Sequence, residues 1–243
     1  MSYQYKETSW SDALISWANR CNIPDLQYSH PEYNEENELI EDGYWFGLPR
    51  DKDILVRFEE LNLSGLLTTD IPSEIRHLKQ LKKLRLANGK RAWWGAEEAN
   101  KDSDCITEIP SWISELTNLE VLDLSDNNIS YVPQRITKLQ KLEKLYLNGN
   151  RIECVTDHIC NMTNLRVLWL AFNQLTDISE NLRKLPNLDE VWTDHLPGAD
   201  YGPVRMENDT IVICTSSGFS SKNIPPGAEV NLFDAIGMAF KAQ

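Results

Sequence analysis

Apolar residues recur along the middle of the chain at a fixed step of 23 residues. A leucine opens each unit, a second apolar residue follows three positions later, and a third follows two positions after that. An asparagine three positions further on keeps the same step. Several columns that return at one spacing indicate an internal repeat. The aligned columns are Leu119, Leu142, Leu165 and Leu188; Leu122, Leu145, Leu168 and Val191; Leu124, Leu147, Leu170 and Thr193; and Asn127, Asn150 and Asn173.

The same pattern extends toward the N-terminus with one interruption. An earlier unit contains Leu61 in the central column, and Leu66 stands in place of its asparagine. The next unit opens at Leu81, but 38 residues separate Leu81 from Leu119, which is one repeat of 23 plus an insertion of 15. The pattern places this insertion at about 87–104.

Each unit predicts a short strand followed by a returning segment. In the sequence LxL the two leucines lie on one face of the strand, and the residue between them lies on the other face. One unit cannot cover its own apolar face, but stacked units bury a continuous core. The consensus LxxLxLxxNxIxxhPxxIxxLxxL, where h is apolar, resembles the leucine-rich repeat family in the 23-residue form of its intracellular and bacterial members. The resemblance implies an α/β fold: a curved, horseshoe-shaped solenoid with a parallel sheet on its concave face and helical caps.

The extent of the repeats divides the chain into three regions. Residues 1–57 are predicted to form an N-terminal helical cap with an acidic loop, and residues 58–196 to form the repeats. Residues 197–243 are predicted to form a degenerate last repeat and a C-terminal cap, and a separate small domain is the alternative.

Both end regions carry signals for particular elements. Residues 9–21 predict an amphipathic helix, in which Ser9 and Asp12 have the spacing of a capping box. The six acidic residues of 31–46 are typical of a solvated loop, with a docking surface for a basic partner as the alternative. Residues 210–217 predict one last strand, and 228–240 predict a closing helix.

The residue between the two strand leucines faces away from the core. In the leucine-rich repeat architecture that side is the concave face, where this chain carries polar residues in its first units and aromatic residues later. Parallel strands lie about 4.8 Å apart, so aromatic rings on adjacent strands are expected to form one stripe. The candidate partner-binding residues are Arg85, Asp123, Tyr146, Trp169 and Trp192 at this position, Phe172 and His195 just before the asparagine position, and Trp93 and Trp94 in the insertion.

Two interpretations of the aromatic residues stay open. Rings on adjacent strands stabilise a sheet by contacting each other, and the C-terminal tail is a further candidate to cover them. The other interpretation is a binding surface, as the resemblance implies, because the family generally binds proteins with its concave face. Trp93 and Trp94 either pack on the protein's own edge or act as a clamp on a partner.

Charge and motif content restrict the possible functions. A net charge of −13 is unfavourable for binding nucleic acid, and no apolar run approaches the length of a membrane span. The sequence has no phosphate-binding loop and no metalloprotease, serine hydrolase or calcium-binding motif, so it predicts no enzyme activity and no cofactor or metal. An unrecognised catalytic site around His195 and Asp194 is the alternative.

The sequence therefore predicts a module that binds another protein, with a basic partner permitted by the acidic charge. Five cysteines without a CxxC pair favour reduced thiols, and the first ten residues lack the features of a signal peptide, so we expect a cytoplasmic location. Three narrower roles stay open: a bacterial effector delivered into a host cell, an acidic inhibitor of the immunity-protein kind, and a structural or assembly protein. The pattern does not indicate an oligomeric state.

Overall fold

A computed structural model describes residues 9–29, 32–33, 39–41, 44–66, 71–88, 105–178, 182, 185–192, 204–207, 210–215 and 218–222. The first helix, α1 (Trp10–Arg20), begins after Ser9, whose hydroxyl accepts a hydrogen bond from the Asp12 backbone N–H, as the capping-box spacing predicts. Its apolar side, which includes Leu14 and Trp17, belongs to the same core as the repeats. The predicted N-terminal helix and its packing on the first repeat are therefore confirmed.

The acidic segment that follows is not simply a loop. Two short antiparallel pairs lie within Gln27–Phe46, and the outer pair brings Tyr28 opposite Trp45. Helix α2 (Lys52–Leu55) then leads into the repeats, capped by the Asp51 side chain. Alternation between polar and apolar residues is weak here, which is why the sequence did not predict strands. These strands are β1 (Gln27–Ser29), β2 (Glu32–Tyr33), β3 (Leu39–Glu41) and β4 (Tyr44–Phe46).

The repeats contribute one strand each to a six-stranded parallel sheet, with β9 and β11 forming a separate parallel pair in the return segments. Sheet neighbours pair 23 residues apart, except that Leu84 pairs with Leu122 across the predicted insertion. The predicted columns are therefore confirmed as spatial register. The strands are β5 (Glu60–Asn62), β6 (Lys83–Arg85), β7 (Val121–Asp123), β8 (Lys144–Tyr146), β9 (Cys154–Val155), β10 (Val167–Trp169), β11 (Asp177–Ile178) and β12 (Glu190–Trp192).

The return segments contain five-residue 3-10 helices. Proline precedes three of them and suits this position, because its fixed φ is compatible with the start of a helix and no N–H is required there. The helices stack on each other on the side of the core opposite the sheet. They are Ser73–His77, Ser111–Glu115, Gln134–Lys138 and Asp157–Asn161.

Leucines of the repeat columns fill the interior, and Leu84, Leu122, Leu145 and Leu168 have no exposed surface. Each asparagine of the repeat bridges neighbouring units. The Asn150 side-chain amide donates to the carbonyl oxygens of Leu124 and Leu147 and accepts a bond from the Ile129 N–H. This satisfies buried backbone groups where the chain leaves the strand.

The C-terminal region differs from the prediction of one last strand. Three strands form an antiparallel sheet separate from the parallel one: β13 (Val204–Glu207), β14 (Thr210–Thr215) and β15 (Gly218–Lys222). Only two residues separate each strand from the next, and so short a connection joins antiparallel neighbours, whereas parallel strands need a crossover of about a dozen residues. The predicted closing helix at 228–240 lies outside the described residues, and the three domain boundaries stay predictions.

Candidate functional site

The outward-facing residues of the six-stranded sheet form the candidate site, which we call the concave face. Asp123 on β7 lies in register with Tyr146 on β8, and Tyr146 lies in register with Trp169 on β10. The backbone of Trp192 continues the row on β12. The sequence prediction that these positions share one row across adjacent strands is therefore correct.

Tyr146 and Trp169 contact each other edge to face. Their ring centroids lie 4.9 Å apart at an interplanar angle of 84°. This geometry places the positive ring edge of one residue against the negative face of the other and contributes about 0.5–1.5 kcal/mol beyond area burial. Both side chains keep part of their surface exposed. The ring contact agrees with the interpretation that these residues brace the sheet, and the binding interpretation stays a prediction.

Carboxylates lie on both sides of this aromatic pair. The Trp169 indole Nε1 donates a hydrogen bond of 2.9 Å to Oε1 of Glu190, which fixes the orientation of the indole. Asp123 Oδ1 accepts hydrogen bonds from the backbone N–H and the hydroxyl of Ser125. Burial raises the pKa of the Tyr146 phenol above its usual value of 10.0, and the negative charges of Asp123 and Glu190 raise it further. The positive charge of Arg85 acts in the opposite direction and lowers it.

The first strands of the concave face carry an ion-pair network instead. Glu60 on β5 accepts a bond of 2.6 Å from the Arg85 guanidinium on β6, and its other oxygen lies 3.3 Å from the Lys83 ammonium. Asn62, the polar residue of this row on β5, is only 6% exposed. Arg85, which the sequence suggested as a partner-binding residue, is thus already paired within the protein.

Phe172 has an unusual backbone conformation. Its φ is +56°, in the left-handed region, and its side chain is 55% exposed. The equivalent position is Gly149 in the preceding repeat and Asp126 in the one before, both also at positive φ. Glycine and aspartate tolerate this conformation better than phenylalanine does. The sequence predicted that the position just before the repeat asparagine is exposed in every unit. At this position Asn88 and Asp126 are buried instead.

The other candidate residues cannot be placed beside this row. Trp93, Trp94 and His195 lie outside the described residues, and only the backbone of Trp192 is described. Glu190 and Glu60 were not among the predicted site residues, although the structure brings them to the concave face. Strand alternation could have identified both residues. Each lies two positions before its strand's residue in the outward row, and residues two positions apart in a strand face the same side of the sheet.

A second concavity, of about 460 Å³, lies among the return segments, away from the sheet. It is lined by Tyr131, Arg135, Cys154, Thr156 and His158, among others. The His158 imidazole contacts the Thr156 hydroxyl, and burial lowers the pKa of this histidine below 6.5.

Within the described ranges, no three His, Cys, Asp or Glu side chains lie close enough together to hold a metal ion. No described helix has the length and apolarity needed to cross a membrane.

The geometry of stacked strand-and-return units, with an asparagine bridging each to the next, defines a repeat solenoid. Residues 100–206 match the family described as Leucine-rich repeat region. The repeat geometry and this match agree on a leucine-rich repeat region in this part of the chain. Its family's repeats serve typically as protein-interaction modules.

Three solved structures are similar to this chain. Each similarity spans 56% of this chain. The first structure is a leucine-rich repeat protein of Leptospira interrogans (28% identity, TM-score 0.46), and the second is an internalin of Listeria monocytogenes (27% identity, TM-score 0.45). The third is the ectodomain of a plant membrane receptor kinase from Arabidopsis thaliana (26% identity, TM-score 0.46). The matched regions are 31%, 35% and 15% of those chains, so this chain corresponds to about a third of their length or less. No curated protein matches the sequence.

Proposed function

We propose that this chain binds a partner protein through its concave face, with Tyr146, Trp169 and Phe172 as the main contact residues. The match to a leucine-rich repeat region supports binding rather than catalysis, because such repeats are typically binding modules. Aromatic side chains also suit such a role, because they bury a large area while ordering few rotatable bonds.

The conformation of Phe172 is the observation that carries the proposal. A left-handed conformation costs a residue with a Cβ on the order of 1–2 kcal/mol, and Gly149 meets the same requirement one repeat earlier without that cost. The Phe172 ring is more than half exposed, so burial in the core does not explain it. An exposed aromatic ring on a strained backbone, three residues after Trp169 in the chain, suits contact with a partner.

The substitution Phe172→Gly separates binding from stability. Glycine removes the ring and the backbone strain together, so we expect an unfolding free energy within about 1 kcal/mol of wild type, or higher. In affinity capture from the native cells, the variant should bind the partner about tenfold more weakly, which corresponds to roughly 1.4 kcal/mol. Denaturant unfolding and capture are measured on the same preparations.

Tyr131→Ser is the matched control. It also removes a large exposed ring, but from the return segments, and it should capture the partner as wild type does. Trp169→Ala should weaken capture like Phe172→Gly. A partner that wild type, Phe172→Gly and Trp169→Ala retain equally would contradict the proposal.

The narrower role that the charge favours is inhibition of a basic protein. A net charge of −13 attracts a basic partner over long distances and accelerates association. We also propose a cytoplasmic location, to which the odd number of cysteines and their spacing in the sequence lend support. Fractionation of the native cell tests the location directly, and recovery of the protein outside the cytoplasm would contradict it.

A further inference from the structure

We propose that the concavity among the return segments binds a small organic carboxylate. The Arg135 guanidinium holds the carboxylate group, and the Tyr131 ring contacts the apolar part of the ligand. We call this site the return-segment concavity. Its volume of about 460 Å³ lies within the range of about 300–1,000 Å³ that small-molecule sites occupy. It lies away from the concave face, so the inference does not depend on the proposed function.

Two consecutive repeats form the walls of the return-segment concavity. Equivalent positions, 23 residues apart, line it in both repeats: Tyr131, Pro133 and Arg135 in one, and Cys154, Thr156 and His158 in the next. One repeat before Arg135, the equivalent residue is the buried Trp112. A large apolar residue is thus followed by arginine and then histidine at this position, and Thr156 replaces the proline of the repeat. The polar lining is therefore a departure from the repeat consensus.

His158 is engaged within the protein and leaves the ligand's charge to Arg135. Its Nδ1 contacts the Thr156 hydroxyl. Burial lowers the pKa of its imidazole below 6.5, and a hydrogen bond to the Val132 backbone only partly offsets this effect. At neutral pH the imidazole is therefore mainly uncharged.

Arg135 supplies the positive charge of the return-segment concavity. No Asp or Glu is among the described residues that line it, although the whole chain has a net charge of −13. Glu153 and Asp157 are neighbours in the chain but do not line it. Within the described ranges, no carboxylate forms an ion pair with the Arg135 guanidinium. Its planar fork is therefore available to donate two hydrogen bonds to a carboxylate from solution.

An apolar surface lies beside this cation. The Tyr131 ring is 44% exposed, and Val132 and Pro133 line the same space. Ligand sites combine such apolar lining, which provides contact area, with a few polar groups that fix orientation. An aryl or alkyl carboxylate suits both parts of the site, whereas a simple inorganic anion would use only the guanidinium.

The test uses the full chain with phenylacetate, 3-phenylpropionate and 4-phenylbutyrate as probes. The Cys154 thiol is free, exposed and part of the lining, so a bound ligand should slow its alkylation, which mass spectrometry of its peptide measures. Cys21, which lies outside the lining, is the reference thiol in the same chain. At least one probe should give half-protection at about 1 mM, as expected for a ligand of about ten non-hydrogen atoms.

Substitutions of Arg135 test its role. Arg135→Gln should raise the half-protection concentration about tenfold, and Arg135→Lys, which keeps the charge but loses the fork, about threefold. Each variant is compared with its own ligand-free rate, because a nearby charge also changes thiol reactivity. Thermal unfolding should match wild type, since Arg135 is exposed.

Lys138→Gln is the charge-matched control, because it neutralises an exposed cation of the same return segment that does not line the concavity. It should change the half-protection concentration by less than about twofold, since salt screens a distant charge. An equal loss for Lys138→Gln and Arg135→Gln would overturn the inference, because general charge would then attract the probes.

The remaining outcomes test each part of the ligand. Equal protection by the uncharged 3-phenylpropionamide overturns the carboxylate, and equal protection by inorganic phosphate, or unchanged protection in Tyr131→Ser, overturns the apolar part. No protection of Cys154 by the three carboxylates at about 10 mM overturns the site itself. A peptide that ends in a phenylalanine carboxylate and protects at lower concentration than 3-phenylpropionate, while its C-terminal amide does not, supports the chemistry and identifies a chain end as its source. The proposed function stands under all these outcomes, because capture by the concave face is measured separately.

Discussion

The two halves of the concave face share one backbone design and one core but have opposite surface chemistry. On β5 and β6, Glu60 pairs with Arg85 and Lys83, so the polar groups satisfy each other within the protein. On β8 and β10, Tyr146 and Trp169 present rings that contact each other and are partly exposed. The inward positions of both halves are leucines without exposed surface.

This difference shows which positions of a repeat are constrained. Inward residues must fill the space between sheet and return segment, so every unit needs nearly the same side chains there. Outward residues have no such requirement and can differ from repeat to repeat without affecting the core. The two halves can therefore differ in surface chemistry while sharing one core.

The largest change in unfolding free energy is expected from substitutions in the leucine core that the two halves share. Leu84→Ala in the first half and Leu168→Ala in the second should each lower the unfolding free energy by about 2–5 kcal/mol, because each leaves a cavity in a fully buried column. Denaturant unfolding measures both. Leu84→Met and Leu168→Met, which keep the volume, should cost less than about 1.5 kcal/mol. If one half tolerated the alanine, the two halves would not share a continuous core.

A smaller effect, on the coupling energy between outward side chains, should distinguish the two halves of the concave face. A double-mutant cycle of Tyr146→Ala and Trp169→Ala should give a coupling energy of about 0.5–1.5 kcal/mol that does not change with salt, because the rings interact at short range.

The reference for this cycle is the ion pair of the first half. Glu60→Gln with Arg85→Met should give a coupling of about 0–1 kcal/mol that falls as salt is added, because both side chains are partly exposed. Equal salt dependence in the two cycles would contradict the distinction drawn between the halves.

The smallest effect is on the ionisation of Tyr146. Its pKa should exceed 10.0, mainly through burial, and Asp123→Asn should lower it while leaving the contribution of burial. Below pH 10.0 the phenol is protonated in both folded and unfolded chains, so it contributes no pH dependence. Above that pH the unfolded chain loses the proton first, so stability should fall as pH rises. Phenolate absorbance follows the titration, with Tyr146→Phe identifying the signal.

An unchanged titration in Asp123→Asn would show that the Asp123 carboxylate does not act on the ring. That result would also weaken the case for a continuous site across β7 and β8.

Much of the fold was predictable from the sequence, for a physical reason. Residues such as Leu145 and Leu168 recur because each unit must bury the same face against its neighbours, and this need appears as a fixed spacing. Alternation along a strand then places Tyr146 and Trp169 on the opposite face without knowledge of the coordinates. The ends of the chain lack this periodicity, so the strand pairs in Gln27–Phe46 and the antiparallel sheet of β13–β15 were not predicted.

The amino-acid sequence by itself determined the repeat, its register and the outward row that contains Tyr146 and Trp169. Only the tertiary structure decided how that row is used within the protein: that Arg85 is paired with Glu60, that the Trp169 indole bonds Glu190, and that Phe172 adopts a strained conformation with its ring exposed. The reason is that spacing specifies which face a residue occupies, whereas side-chain pairing and backbone φ depend on neighbours that come together only when the repeats stack.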